Sequence, residues 1–201
     1  MIGKLSAALV FGLALGGATA QAAEPEVAIF AGGCFWCVES DFDHVNGVIS
    51  TVSGYIGGTN DNPTYQDHTA ANHREAVRIE YDPAKVSYEQ LLTAFFRSVD
   101  PTDDGGQFCD RGHSYTTAVY AVGDTQLAEA KKAKAEAQAA LGTTVVTEVV
   151  AAPTFWPAED YHQDYYEKNP LRYKYYRSAC GRDDRIRDVW GAAAMQGIKG
   201  S

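Results

Sequence analysis

The stretch VAIFAGGCFWCVESDFDHV, Val27 to Val45, passes from an apolar run through two glycines into a segment with a different period. Val27 to Gly33 reads as a short apolar strand that ends in glycines. From Cys34 onward Phe35, Val38, Phe42 and Val45 recur at helical spacing, and Gly47 stops the pattern. A strand that turns through glycine into a helix whose first residue is a cysteine sets both the fold and the chemistry to look for.

Downstream, VISTVSGY (48–55) alternates as a strand, and GGTNDNPTYQDHTAAN (57–72) is dense in turn residues and reads as a long surface loop. REAVRIEY (74–81) alternates again, and its period of two puts Glu75 on the face of Val77, Ile79 and Tyr81, the core side. Ser87 with Gln90 three residues on forms a capping box for a helix whose buried stripe is Leu91, Leu92, Phe95, Phe96 and Val99, ended by Asp100-Pro101. A further helix runs from Asp124 to Leu141 with Gly142 as its cap, flanked by strands TAVYAV (117–122) and TVVTEVV (144–150). This order predicts a split βαβ, ferredoxin-like α+β fold, a two-layer sandwich with a mixed sheet. From Pro153 the pattern weakens, while six of the twelve tyrosines fall between Tyr161 and Tyr176. Residues 153–201 are expected to be irregular coil with one short helix, draped over the domain and held by phenol packing.

Upstream, a short positive start, the apolar run Leu5 to Leu15 and the small residues around Ala20-Gln21-Ala22 have the form of a secretory signal, so 1–22 is expected to be cleaved. The remaining 23–201 is the length of a single domain. Loss of Lys4 takes the formal charge from −9 to −10, which gives no electrostatic reason to bind nucleic acid or an anionic membrane. A neutral small partner and an exported, periplasmic location are expected, where disulfides persist and each of Cys34, Cys37, Cys109 and Cys180 can be paired, catalytic or both.

The reactive form of cysteine is the thiolate, and a helix N-terminus favours it through its dipole and free N–H groups. Cys34 holds that position and is expected to ionise, with Cys37 one turn further in, where the effect fades. A zinc clip needs four ligands and Cys34-x-x-Cys37 supplies two, so no metal is expected. His73-Arg74-Glu75 has the His-x-Glu of zinc deaminases without their Pro-Cys-x-x-Cys, so His73 reads as a packed or hydrogen-bonded residue. A thiol-disulfide oxidoreductase of thioredoxin type also opens a helix with Cys-x-x-Cys and is the alternative reading. Phe35 and Trp36 inside the pair argue against it, because a bulky aromatic wall suits an enzyme that grips a small apolar group beside its nucleophile.

GGCFWCVESDF resembles the Gly-Cys-Phe-Trp signature of the A-type methionine sulfoxide reductases, the peptide-methionine (S)-S-oxide reductases. The likeness continues through SGYIGGTNDNPTYQD, HREAVRIEYDPAKVSYEQLL, DPTDDGGQFCDRGHSY, AEDYHQDYYEKNP and RYKYYRSACGRD, from about Val27 to Asp183. It implies a thiol-dependent reduction of methionine S-sulfoxide, free or in proteins, that needs no cofactor and is recharged by a thioredoxin-like reductant, and the protein is expected to be a monomer. In this resemblance Cys34 is the nucleophile that becomes a sulfenic acid, and Phe35 and Trp36 hold the S-methyl group. Glu75 is the acid, Tyr65 and Tyr115 bind the sulfoxide oxygen, and Asp110 organises the same site. Cys180, beside Gly181, is the first choice for the resolving cysteine. Cys37 and Cys109 stand where glycine and asparagine are frequent in the family, so a Cys34–Cys37 disulfide, a relay through Cys109 and a Cys37–Cys109 bridge all stay open.

Overall fold

The computed structural model describes residues 23–199, so the leader read at 1–22 lies outside the described residues. Strand β1 (Glu26–Ala31), helix α1 (Phe35–Asp43), β2 (Val48–Ile56), β3 (Arg74–Tyr81) and α2 (Tyr88–Arg97) follow in chain order. Two short strands, β4 (Gly106–Gln107) and β5 (Asp110–Arg111), precede β6 (Ala118–Ala121), α3 (Asp124–Leu141) and β7 (Glu148–Ala151). The main sheet has six strands in the order β7-β6-β1-β3-β2-β8, with β8 at Phe155–Pro157. Every neighbouring pair is antiparallel except β6 with β7, so the sheet is mixed. The inner order β6-β1-β3-β2 is the split βαβ arrangement expected from the element sequence.

Central strand β1 is buried on both faces, which is why it reads as an unbroken apolar run rather than an alternation. Ala28 and Phe30 of β1, Val77 and Ile79 of β3 and Val119 of β6 share the face covered by α1, α2 and α3. Ile29, Ala31, Ile56, Ala76, Ala118 and Tyr120 form a smaller cluster on the opposite face. In α1, Phe35, Val38 and Phe42 are buried as the helical spacing requires. Helix α2 carries its capping box, with Gln90 N–H donating to Ser87 Oγ and Ser87 N–H donating to Gln90 Oε1.

Two expectations change. The strand placed at 144–150 begins later, at Glu148, because Val145 N–H donates to the Gln138 side chain and Val146 N–H to the Pro101 carbonyl instead of to β6. Beyond Pro153 the chain is more regular than irregular coil with one short helix. It adds edge strand β8 and three helices, α4 (Tyr165–Lys168), α5 (Pro170–Ala179) and α6 (Arg182–Trp190). Ile186 and Trp190 of α6 enter the main core, and the Trp190 indole donates to the Val99 carbonyl at 2.9 Å. The polar sequence hides this because α6 is anchored by a cation. Arg182 is 2 % exposed and donates to the carbonyls of Gly32 and Ser98, with Asp41 of α1 at 3.4 Å. Arg177 of α5 meets the same Asp41 at 2.7 Å, so one buried carboxylate ties two tail helices to α1.

Candidate active site

Cys34 sits at the turn between β1 and α1, 7 % exposed, as the N-cap of the helix. Gly33 just before it has φ +88°, and a Cβ there would stand 2.7 Å from the Gln107 side chain, so only glycine lets the β4 segment pack against this turn. The first free N–H of α1, that of Phe35, donates to Glu75 Oε2 at 2.9 Å. Strand parity brings the Glu75 side chain onto the α1 side of the sheet, where it is 2 % exposed.

A cavity of about 70 Å³ opens here, lined by Cys34, Phe35, Trp36, Tyr65, Glu75, Asp110 and Tyr115, together with Tyr176. Seven of the eight are residues singled out in the sequence, drawn from four separate segments. Burial raises the Glu75 carboxyl to about 8, with the charges of Asp110 and Cys37 pushing the same way and the Phe35 N–H and Tyr115 hydroxyl opposing. The neighbouring arginine does not neutralise it: Arg74 points to the other face, bonded to Tyr120, Thr116 and Glu148. His68 lies 3.8 Å from Glu75, and burial lowers the tendency of His68 to take a proton. Burial also raises the Asp110 carboxyl, against the pull of the Tyr176 hydroxyl that donates to it. His73 is buried and bonded to Gly58 N–H and Asn60, a packed residue as expected.

The aromatic wall is fixed from the tail. The Trp36 indole N–H donates to His162 Nδ1 at 3.1 Å, and the Trp36 ring stacks on Tyr165 at 3.7 Å with 6° between planes. Phe35 packs against Tyr55 and His162. Tyr65 stands over His162 and His68, its backbone N–H held by Glu159 at 3.0 Å.

The expected ionisation of Cys34 is reversed in this resting arrangement. Burial pushes the Cys34 thiol well above the ordinary thiol range, helped by its hydrogen bond to Cys37 and the charges of Cys37 and Glu75. Cys37 is lowered, first by the hydrogen bond it accepts from Cys34, then by Arg182 and Arg177 against its own burial. The helix start does not decide the matter, because the Phe35 N–H is committed to Glu75 and the cations lie on the Cys37 side.

The family model described as peptide methionine sulfoxide reductase matches residues 26–194. The chain belongs to that family. It is 56% identical over 179 residues to peptide methionine sulfoxide reductase MsrA 2 of Rhizobium meliloti, covering 89% of this chain and 90% of that protein. It is 54% identical over 185 residues to MsrA 2 of Caulobacter vibrioides, covering 89% and 94% of the two chains. The solved methionine sulfoxide reductase A of Corynebacterium diphtheriae matches with a TM-score of 0.68 and 34% identity, over 73% of this chain and 76% of that one.

In this reductase Cys180 is joined to Cys109, while Cys34 and Cys37 are free and buried. The Cys37–Cys109 bridge left open by the sequence is therefore not formed. Sequence reasoning did not single out His162, Tyr165 and Tyr176, which hold Trp36 and cap the cavity. A signal for Tyr176 was present: after Pro170, Tyr173, Tyr176, Arg177 and Cys180 repeat at helical spacing, which marks one inward stripe of α5.

Proposed function

We propose that this protein reduces methionine S-sulfoxide, free or in proteins, to methionine, with Cys34 as nucleophile. The observation that carries the reading is the single cavity in which Cys34, the Phe35–Trp36 wall and Glu75 face one another. The sulfoxide places its methyl group against the aromatic wall and its oxygen toward Glu75, Tyr65 and Tyr115. Cys34 sulfur attacks the sulfoxide sulfur, and Glu75, protonated below about 8, gives its proton to the oxygen. The Cys34 proton passes to Cys37, its hydrogen-bond partner. The hydroxyl then passes from the substrate sulfur to Cys34 as the transient bond between the two sulfurs breaks, so methionine leaves reduced by two electrons and Cys34 is left as a sulfenic acid.

A second thiol then converts the sulfenic acid to a disulfide and water, and a thioredoxin-like dithiol restores the thiols. The leader-like start supports an exported, periplasmic place of action, and a monomer contains every group the reaction uses. Separate R and S epimers of a methionine sulfoxide peptide, incubated with dithiothreitol, test the reading. Methionine from the S epimer alone is expected. Methionine from neither epimer, with insulin disulfides reduced instead, would replace it with thiol-disulfide exchange through Cys34 and Cys37.

A further inference from the structure

Glu39 is a buried carboxyl that the proposed reaction leaves idle. It is 0 % exposed on α1, and its Oε2 accepts the Asp164 N–H at 3.0 Å. Trp36 and Glu39 stand three apart on that helix and so share a face, while Tyr165, the ring stacked on Trp36, directly follows Asp164. The contact between Glu39 and Asp164 therefore lies one turn below the stack. Asp164 has φ +53°, a left-handed conformation that a residue with a side chain keeps only where its surroundings fix it.

The other oxygen of the carboxyl is unsatisfied. Among the described residues Glu39 Oε1 and Ser53 Oγ of β2 are both buried without a hydrogen-bond partner, and the Ser53 hydroxyl bears on that same carboxyl. Ser53 is also tied to the segment before α4: its N–H donates to Gln163 Oε1 at 2.8 Å, and its carbonyl accepts from Gln163 Nε2 and the Ala158 N–H. The charged groups facing Glu39 are acids, Asp43 on α1 and Asp164 at the start of α4. Asp43 accepts from Thr51 and Tyr166, and Lys168 of α4 is engaged by Asp164 at 3.6 Å and by the carbonyls of Asp160 and Gln163. His162, bonded to Trp36, is made harder to protonate by its burial. A buried carboxyl without a cation keeps its proton, and burial, aided by the charges of Asp43 and Asp164, lifts this one to about 8.

We propose that Glu39, as a carboxylic acid, is a positioning residue for the aromatic wall, joining Asp164 and Ser53 so that Tyr165 stays stacked on Trp36. Its Oε1–H donates to Ser53 Oγ while Oε2 accepts the Asp164 N–H, so one proton ties α1, β2 and the segment carrying His162 and Tyr165. As pH rises through about 8 the proton leaves, and a buried carboxylate then faces Asp43 and Asp164. The turn at Asp164 lifts, Tyr165 slips from Trp36, and the pocket for the S-methyl group loosens. The effect on substrate binding rests on the sulfoxide reduction proposed above; the effect on Trp36 does not.

The test reads the wall first without turnover. In protein with 15N-labelled tryptophan, the Trp36 indole signal, assigned by its loss in Trp36→Phe, is expected to shift between about pH 7 and 9 with a midpoint near 8. Glu39→Gln keeps both bonds, its oxygen accepting from Asp164 and its amide donating to Ser53, but cannot ionise, so the shift should fall to less than about half. A full shift in Glu39→Gln would assign it to Glu75 or Cys37, and that result, or a wild-type signal that does not move, overturns the proposal. Kinetics with S-epimer peptide follow. Wild-type KM is expected to rise about fivefold from about pH 7 to 9 and that of Glu39→Gln less than about twofold, while the loss of the Glu75 proton lowers kcat in both. Glu39→Ala, lacking both bonds, should raise KM about tenfold at about pH 7 with kcat within about twofold, and Glu39→Gln should restore it. Equal KM profiles for wild type and Glu39→Gln overturn the proposal even if Glu39→Ala does not fold. No methionine from wild type removes the reaction and leaves the indole result to decide the role of Glu39.

Discussion

Glu75 is an acid because its surroundings will not hold its charge. Only the Phe35 N–H and the Tyr115 hydroxyl favour the carboxylate, while burial and the neighbouring charges oppose it. Catalysis by its proton should therefore fall as pH rises through about 8. Glu75→Gln keeps a carbonyl for the Phe35 N–H but has no proton to give, so kcat/KM should drop about 100-fold or more and the high-pH limb should vanish. A wild-type rate that stays level from about pH 6 to 9 would exclude this role. His162 acts through Trp36, as acceptor for its indole N–H at 3.1 Å. In His162→Phe that N–H is left without a partner and the wall loosens, so KM should rise about tenfold with kcat less affected. His162→Asn, with a side-chain oxygen to accept the bond, should recover much of the loss. Steady-state kinetics on the three proteins separates positioning from bulk.

The elements around the site are held by contacts with little slack. At Gly54 of β2 an added Cβ would lie 2.4 Å from the Trp156 carbonyl oxygen, so edge strand β8 can pair only against glycine there. Gly54→Ala should push β8 away and destabilise the protein by about 1–3 kcal/mol. Amide exchange at Phe155 and Trp156 and in β2 opposite them should accelerate first, and unchanged exchange there would show that β8 tolerates the shift. Much of this layout is legible in the sequence. The buried run of β1, the alternation of β3 and the Ser87–Gln90 box each depend on a local period or a local hydrogen bond. The tail helices were not legible, because α6 is mostly charged and its inward residues, Arg182, Ile186 and Trp190, do not form an apolar stripe.

Across the molecule, Asp41 joins the tail to the catalytic helix by accepting from Arg177 and approaching Arg182 inside the protein. Asp41→Ala leaves buried Arg182 without a carboxylate and Arg177 with Asp183 alone, and should cost about 3–5 kcal/mol, read from the denaturant midpoint. A change within experimental error would mean that the tail docks independently of this network. Stability should also depend on pH. Glu39, whose Oε2 accepts the Asp164 N–H, and Glu75 are both raised by burial from 4.5 to about 8. Between these values the folded protein keeps protons that the unfolded chain releases, so the contribution of these two groups declines as pH rises from about 4.5 to 8, opposed below about 6.5 by His68, His113 and His162, which burial makes harder to protonate in the folded state. Thermal melts from about pH 6.5 to 8 should show Tm falling, and Glu39→Gln should flatten part of the slope.

The sequence by itself determined the strand-to-helix turn at Cys34, the inward parity of Glu75 and the aromatic pair beside the thiol, because each follows from spacing along a few residues. It did not determine which sulfur holds the proton, which cysteines are joined or what holds Trp36. Those depend on Arg177 and Arg182 beside Cys37, on His162 against Trp36 and on Cys180 against Cys109, groups far apart along the chain that meet only through folding. Charge, burial and disulfide pairing are set by distance in space, and no local period encodes it.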